Sequence, residues 1–174
     1  MKYSTIDYIG EIPNLHGLGQ GMEGVFGMRR FSMVDISSKD VIVREATAAG
    51  EIKLKPSTLM RLKGGKLGKG DAIAAAEVAA TVAAKRTSDI LPFCHTIPIA
   101  EVRVDHSIGE NVLRVKSYVK GLAKTGVEME ALTATATYLL TIWDMVKQYE
   151  KDSKGQYPTT TITNVRVTKK IKRK

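Results

Sequence analysis

A β-hairpin stands in the middle of this chain, with helical sequence on either side of it. Glu101 to Ser107 and Val112 to Lys120 read as two strands, joined through Gly109-Glu110-Asn111, a turn-forming run between two strand-like stretches. Strands joined that tightly run antiparallel, which excludes an all-parallel sheet. Ahead of the hairpin, residues 41–54 read as extended, with β-branched Val41, Ile42, Val43 and Thr47 among charges. Pro56 opens a short helix through Leu62, and Gly64-Gly65 ends it. A second helix, rich in alanine, runs from Asp71 to about Lys85, and its small side chains predict close packing against a flat surface or another helix. Residues 90–98 read as an apolar loop marked by Pro92 and Pro98. Beyond the hairpin a long helix extends from Thr125 to about Glu150, and a final strand spans Thr160 to Thr168.

Strand, helix pair, strand, strand, helix, strand is the β-α-β-β-α-β order of the ferredoxin-like architecture, an α+β fold whose antiparallel sheet carries its helices on one face. With 174 residues the chain has room for one such domain and a real core. The expected division is a flexible N-terminal extension over 1–32, a single catalytic domain over 33–170, and a basic tail over 171–174. The extension holds six glycines and no periodic pattern. Gly19, Gly21 and Gly24 spell G-x-G-x-x-G, but no strand precedes them and no helix follows, so a dinucleotide site is not expected. No apolar run is long enough for a membrane span. Asp7 and Glu11 stand where a secretory signal needs an apolar block, and Cys94 is the single cysteine, so a cytoplasmic location is expected.

The formal net charge of +9 suggests a polyanionic partner. Its placement narrows that reading. Residues 153–174 carry seven basic and no acidic side chains, which leaves the rest of the chain nearly neutral.

Four segments carry groups suited to chemistry. Gly64 to Asp71 is glycine-rich and lysine-bearing, but Asp71 stands where a Walker loop needs its Lys, so it reads either as a connector with Asp71 as N-cap or as an anion-meeting loop. Phe93-Cys94-His95 places a thiol beside an imidazole, with His95 either hydrogen-bonded in the interior or facing a substrate; no metal-ligand spacing accompanies it. Thr125 and Glu128 fit a capping box at the start of the long helix. Glu130 is not explained by that box, and two carboxylates beside Lys124 suit acid–base work as well as dipole compensation. Asp144 and Lys147, three residues apart among Ile142, Trp143, Met145 and Val146, form either a surface ion pair or a proton-exchanging pair.

Taken together, Met33-Val34-Asp35-Ile36, Val43-Arg44-Glu45-Ala46, Lys69-Gly70-Asp71, Ala84-Lys85-Arg86-Thr87, Leu91 to His95, Lys124 to Leu132 and Asp144-Met145 stand in the order of one family. Over roughly residues 33–170 the chain resembles the cyclic pyranopterin monophosphate synthases, the molybdenum cofactor biosynthesis protein C family. The resemblance implies a lyase that converts 3′,8-cyclo-7,8-dihydro-GTP to cyclic pyranopterin monophosphate and diphosphate in molybdopterin biosynthesis. It implies a homohexamer, a trimer of dimers, with active sites at subunit interfaces. By matching positions, Asp144 is the general acid/base, and Lys69 and Lys147 are its catalytic partners. Phe93, Cys94, His95, Glu128, Met129 and Glu130 line the substrate site. Arg44 and Lys170 supply further cations, with Lys169 the alternative to Lys170. The family's C-H-P run is Cys94-His95-Thr96 here, and its late lysine is followed by Ile171-Lys172-Arg173-Lys174 rather than by glycines. No resident cofactor or bound metal is implied; Mg²⁺ accompanying the triphosphate is left open.

The alternative from another class is a basic nucleic-acid-binding ferredoxin-like module. RNA-reading sheets stack bases on exposed aromatics, and with 6% aromatics and no such motif in its strands this chain is expected to bind neither nucleic acid nor membrane.

Overall fold

The computed structural model describes residues 31–174, so the glycine-rich run and nearly all of the expected extension lie outside the described residues. The elements are β1 (Ile42–Lys53), α1 (Pro56–Lys63), α2 (Ala72–Lys85), α3 (Thr87–Ile90), β2 (Ile99–Ile108), β3 (Val112–Ala123), α4 (Glu128–Glu150) and β4 (Thr161–Arg173). The strands form one sheet in the order β2-β3-β1-β4, with every neighbouring pair antiparallel. The helices pack on one face, giving the ferredoxin-like α+β fold the element order predicts.

Alternation along the strands decides which face is covered. Ala46, Ala48 and Ile52 of β1 and Leu113, Val115 and Val119 of β3 are buried toward the helices. Ala131, Ala134, Tyr138, Leu139, Ile142 and Val146 recur on one stripe of α4 at helical spacing and meet them. Ala72, Ala76, Ala80, Ala83 and Ala84 of α2 lie buried along α4, which accounts for their smallness: two helix backbones approach closely only across short side chains. Asp71 caps α2 as expected, its Oδ1 accepting from the N–H groups of Ile73 and Ala74 at 3.0 Å each.

At Gly50 α4 crosses the sheet so closely that an added Cβ would stand 2.8 Å from Leu139 Cδ1, 3.0 Å from Thr135 Cγ2 and 3.1 Å from Val165 Cγ2. Gly50→Ala is therefore expected to destabilise the fold by about 1–3 kcal/mol, the usual cost of overpacking. Equilibrium denaturant unfolding measures it, and an unchanged midpoint would show that α4 can lift off the sheet freely.

Two sequence expectations are corrected. The last strand does not stop at Thr168: β4 continues to Arg173, pairing Lys170 with Ala46, Lys172 with Arg44 and Arg173 with Val43. Three of the four residues expected as a tail are therefore sheet. Lysine lowers strand propensity, but β4 is an edge, where charge on the exposed side is tolerated and deters pairing with other chains. The capping box at Thr125 does not form either. Val127 occupies the N-cap position without a side-chain bond, and Glu128 is the first helical residue. A four-residue helix, α3, also precedes the loop at 90–98.

Candidate active site

The loop after α3, the start of α4 and the segment before β1 enclose a cavity of about 310 Å³. Phe93, Cys94, His95, Met129 and Glu130, five of the residues expected to line a substrate site, stand together on its wall. Thr125 and Gly126 complete the side formed by the turn into α4. The loop is held by Cys94 N–H donating to Leu91 O at 2.9 Å and by Thr96 Oγ1 donating to Ser88 Oγ at 3.2 Å. Gly121 lets Pro98 and Ile97 pass against β3, since a Cβ there would sit 3.1 Å from the Pro98 carbonyl oxygen.

Glu130 is the unusual group in this cavity. It is 3% exposed, and its Oε2 has no hydrogen-bond partner in the protein. Burial raises its pKa above the ordinary glutamate value, its own backbone N–H works in the opposite direction, and the Glu128 carboxylate raises it further. The Cys94 thiol is also raised, by burial first and then by Glu130. A thiol held protonated is a poor nucleophile, so the pair Cys94-His95 is a wall of the site rather than a thiolate–imidazole couple.

The Glu130 shift has a consequence for stability. A carboxyl whose folded pKa exceeds its unfolded value binds its proton more tightly in the folded state. The stability from that proton is present below the unfolded value and is lost as pH rises through the folded one. Glu130→Gln is expected to raise Tm at pH 7, with the gain shrinking toward zero as pH falls below the ordinary glutamate range. Scanning calorimetry across pH checks this; a Tm lowered by the substitution at pH 7 would mean that Glu130 is ionised and satisfied in the fold.

A second cluster lies farther along α4. Asp144 accepts from Lys147 Nζ at 2.7 Å through Oδ1 and from Lys69 Nζ at 2.9 Å through Oδ2. Lys69 also donates to the Asp144 backbone carbonyl at 2.9 Å. Hydrogen bonds first from Lys147 and then from Lys69 hold the Asp144 carboxyl down to about 2, and the same contact raises Lys147. The expected partners thus meet, but as an ion-paired triad on the exposed flank of α4, not in an apolar pocket. Asp144 is anionic throughout the physiological range.

Arg44 departs from its expected role. It is 8% exposed, and its guanidinium donates to the carbonyls of Ala123 at 3.4 Å and Lys124 at 3.2 Å, so it fastens the end of β3 instead of facing an open cavity. Lys170 Nζ donates to Glu128 Oε1. Lys169, one residue earlier, points to the opposite face of the sheet, where it lines two pockets of about 610 and 420 Å³ with Thr47. Lys170, not Lys169, is the cation next to the start of α4. Among the described residues no group of three or more His, Cys, Asp and Glu side chains is gathered to hold a metal ion.

Comparison with known proteins places the chain. Residues 33–172 match the model of the MoaC family. The chain belongs to the MoaC family. Its relatives include the probable cyclic pyranopterin monophosphate synthases of Sulfurisphaera tokodaii, 54% identical over 83% of this chain and 96% of the relative, and of Sulfolobus acidocaldarius, 54% identical over 80% and 98%. The Pyrococcus horikoshii protein of the same name is 51% identical over 80% of this chain and 88% of its own length.

The MoaC match begins at Met33, where the compact unit of residues 33–174 also begins. Within this MoaC chain the two clusters do not meet. Glu130 and Asp144 both lie on α4, fourteen residues apart, or about 21 Å along its axis. Groups that act on one reacting atom must come within hydrogen-bond reach of it, and these do not. Besides Ile97 and the turn residues Thr125 and Gly126, the cavity residues not expected at a site are Val34, Ile36 and Lys39. They sit in a segment of ordinary turn composition, and nothing in their spacing signals that it folds back onto the start of α4.

Proposed function

We propose that this chain is a cyclic pyranopterin monophosphate synthase, a lyase acting on 3′,8-cyclo-7,8-dihydro-GTP in molybdenum cofactor biosynthesis and releasing cyclic pyranopterin monophosphate and diphosphate. The observation that carries this reading is the cavity at the start of α4, where a buried carboxyl, an imidazole and a thiol converge beside Phe93 and Met129. Rebuilding a purine-derived ring calls for several proton transfers. Glu130 holds a proton to higher pH than an ordinary glutamate and stands at the wall, which suits it to give and take one. His95 is the second proton-carrying group there.

Closing a cyclic phosphate builds negative charge on the departing diphosphate, and fixed ammonium groups stabilise it. Lys69 and Lys147 supply two such groups, held in place by Asp144. Asp144 is too acidic to serve as proton donor near neutral pH in this arrangement; it orients the two lysines and accepts a proton when substrate draws them away. Lys170, shielded by Glu128, is a further phosphate cation. Arg44 keeps a structural role. No resident cofactor is needed, and Mg²⁺ enters with the triphosphate when it enters at all.

The separation of the two clusters on α4 supports a site assembled from two subunits, one providing the cavity and its neighbour the Lys69-Asp144-Lys147 triad. A homohexamer, a trimer of dimers working in the cytoplasm, is the form this reading adopts. Among the described residues no helix is long and apolar enough to cross a membrane. The nucleic-acid alternative finds little support, since the four strands hold one aromatic residue, Tyr118, and Arg103 lies over its ring at 4.4 Å. Incubating the full chain with authentic 3′,8-cyclo-7,8-dihydro-GTP and measuring diphosphate tests the reading. Stoichiometric release with cyclic pyranopterin monophosphate is expected; an inert, folded protein would overturn it.

A further inference from the structure

Lys124 opens the Lys124-Thr125-Gly126 run, yet its ammonium does not line the cavity. It donates instead to the backbone carbonyl of Ser37 at 2.6 Å. Ser37 belongs to the segment that brings Val34, Ile36 and Lys39 to the cavity wall.

Among the described residues that segment has little else to hold it. From Met33 to Val41 every residue is exposed except Ile36, which is half-buried. Its own bonds, Ser37 N–H to Asp35 Oδ1 at 2.8 Å and Lys39 N–H to Ile36 O at 3.1 Å, shape the turn without attaching it to the body. A surface segment with so little buried apolar area opens at low free energy, so one charge-assisted bond to a rigid element governs where it sits. The anchor is rigid. Lys124 follows the last residue of β3, and its carbonyl and that of Ala123 are gripped by the buried Arg44 guanidinium. Arg44 in turn lies in β1, one of the two interior strands.

We propose that Lys124 is a positioning residue that straps residues 33–40 across the cavity through Ser37, and so sets Lys39 at the rim as a cation for an anionic group of the ligand. Among the described residues Lys39 belongs to no ion pair, so its ammonium is available. The Lys124 ammonium and His95 both lie close enough to Asp35 to lower its pKa, behind the larger effect of the Ser37 bonds, which agrees with a strap lying against the cavity loop. The second half of the proposal rests on reading this cavity as the substrate site; the strap itself does not.

The experiment uses the full chain in four forms: wild type, Lys124→Met, Lys124→Arg and Lys39→Gln. Hydrogen exchange of the peptide spanning 33–40 is measured without ligand. Lys124→Met is expected to speed it about tenfold, the arginine variant to stay near wild type, and Lys39→Gln to leave it unchanged. Steady-state turnover of the cyclic GTP derivative follows. Both Lys124→Met and Lys39→Gln are expected to raise KM about tenfold with a smaller effect on kcat, and their double variant to be little worse than either, because both remove one positioned cation. Unchanged exchange in Lys124→Met would overturn the strap. Faster exchange with an unchanged KM would overturn its role in binding. Should wild type fail to turn over the substrate, the functional reading falls on its own; exchange still decides the strap, and affinity for inorganic triphosphate in the same variants decides Lys39.

Discussion

Asp144→Asn is expected to lower turnover by roughly a hundredfold or more, with the protein remaining folded. The carboxylate is the shared acceptor of Lys69 and Lys147, at 2.9 and 2.7 Å. An amide of the same shape keeps at most one acceptor oxygen and turns donor groups toward an ammonium. On the proposed function, both lysines then lose the orientation that would aim them at phosphate oxygens. The triad is exposed, and surface ion pairs add little to folding, so Tm should hardly move. Lys69→Ala is expected to be similarly damaging, and the two changes together scarcely worse than either, as befits groups acting as a unit. Rates of diphosphate release with authentic substrate measure all three. Near wild-type turnover in Asp144→Asn would remove the triad from the mechanism.

The second large effect is on stability. Glu150→Ala is expected to destabilise the fold by about 2–4 kcal/mol. Glu150 ends α4 and is fully buried. Its carboxylate accepts from Lys55 N–H at 3.2 Å to each oxygen and from Thr160 Oγ1 at 2.6 Å, tying the end of α4 to the start of α1 and the approach to β4. Lys55 Nζ completes the clamp on the helix's last carbonyls, donating to Tyr149 O at 3.2 Å and to Lys151 O at 3.0 Å. An acid in the last turn opposes the helix dipole, so the position is tolerable only because two donors, Lys55 N–H and Thr160 Oγ1, converge on it. Removing it strands Lys55 N–H and Thr160 Oγ1 in the interior. Chemical unfolding of Glu150→Ala and Glu150→Gln checks the account, the amide being the milder change because it keeps one acceptor. A midpoint within error of wild type for the alanine variant would contradict it.

How much of this was legible beforehand follows from the range of each interaction. The hairpin, Asp71 as cap and the alanine face of α2 are local or periodic signals, and they locate the sheet and its helical cover. The β4 boundary was misjudged because Lys169, Lys170, Lys172 and Arg173 read as tail composition, while pairing with β1 sustains them as an edge strand. The capping box failed because Glu128 turns to Lys170, a partner 42 residues away, rather than to its own helix start. At the site, the Asp144–Lys147 pair is a helical spacing and was readable; that Lys69 joins it, 75 residues earlier, came from resemblance alone. Lys39, Glu150 and the bond from Lys124 to Ser37 are not legible for one reason. Each acts through contacts between segments distant in sequence, and nothing in their immediate neighbours announces a partner. Arg44 shows the converse: its motif was recognised, but its burial against two carbonyls gives it a different task.

The proposed site is divided between two chains, because the cavity with Glu130 and the cationic triad with Asp144 lie about 21 Å apart on one helix. Mixing two inactive variants, Glu130→Ala and Asp144→Asn, after reversible dissociation tests this most directly. In random pairs half are mixed, and each mixed pair holds one site with both clusters intact. Diphosphate release from the cyclic GTP derivative should therefore return to about a quarter of the wild-type rate. No recovery, with wild type treated the same way retaining its activity, would contradict the shared site.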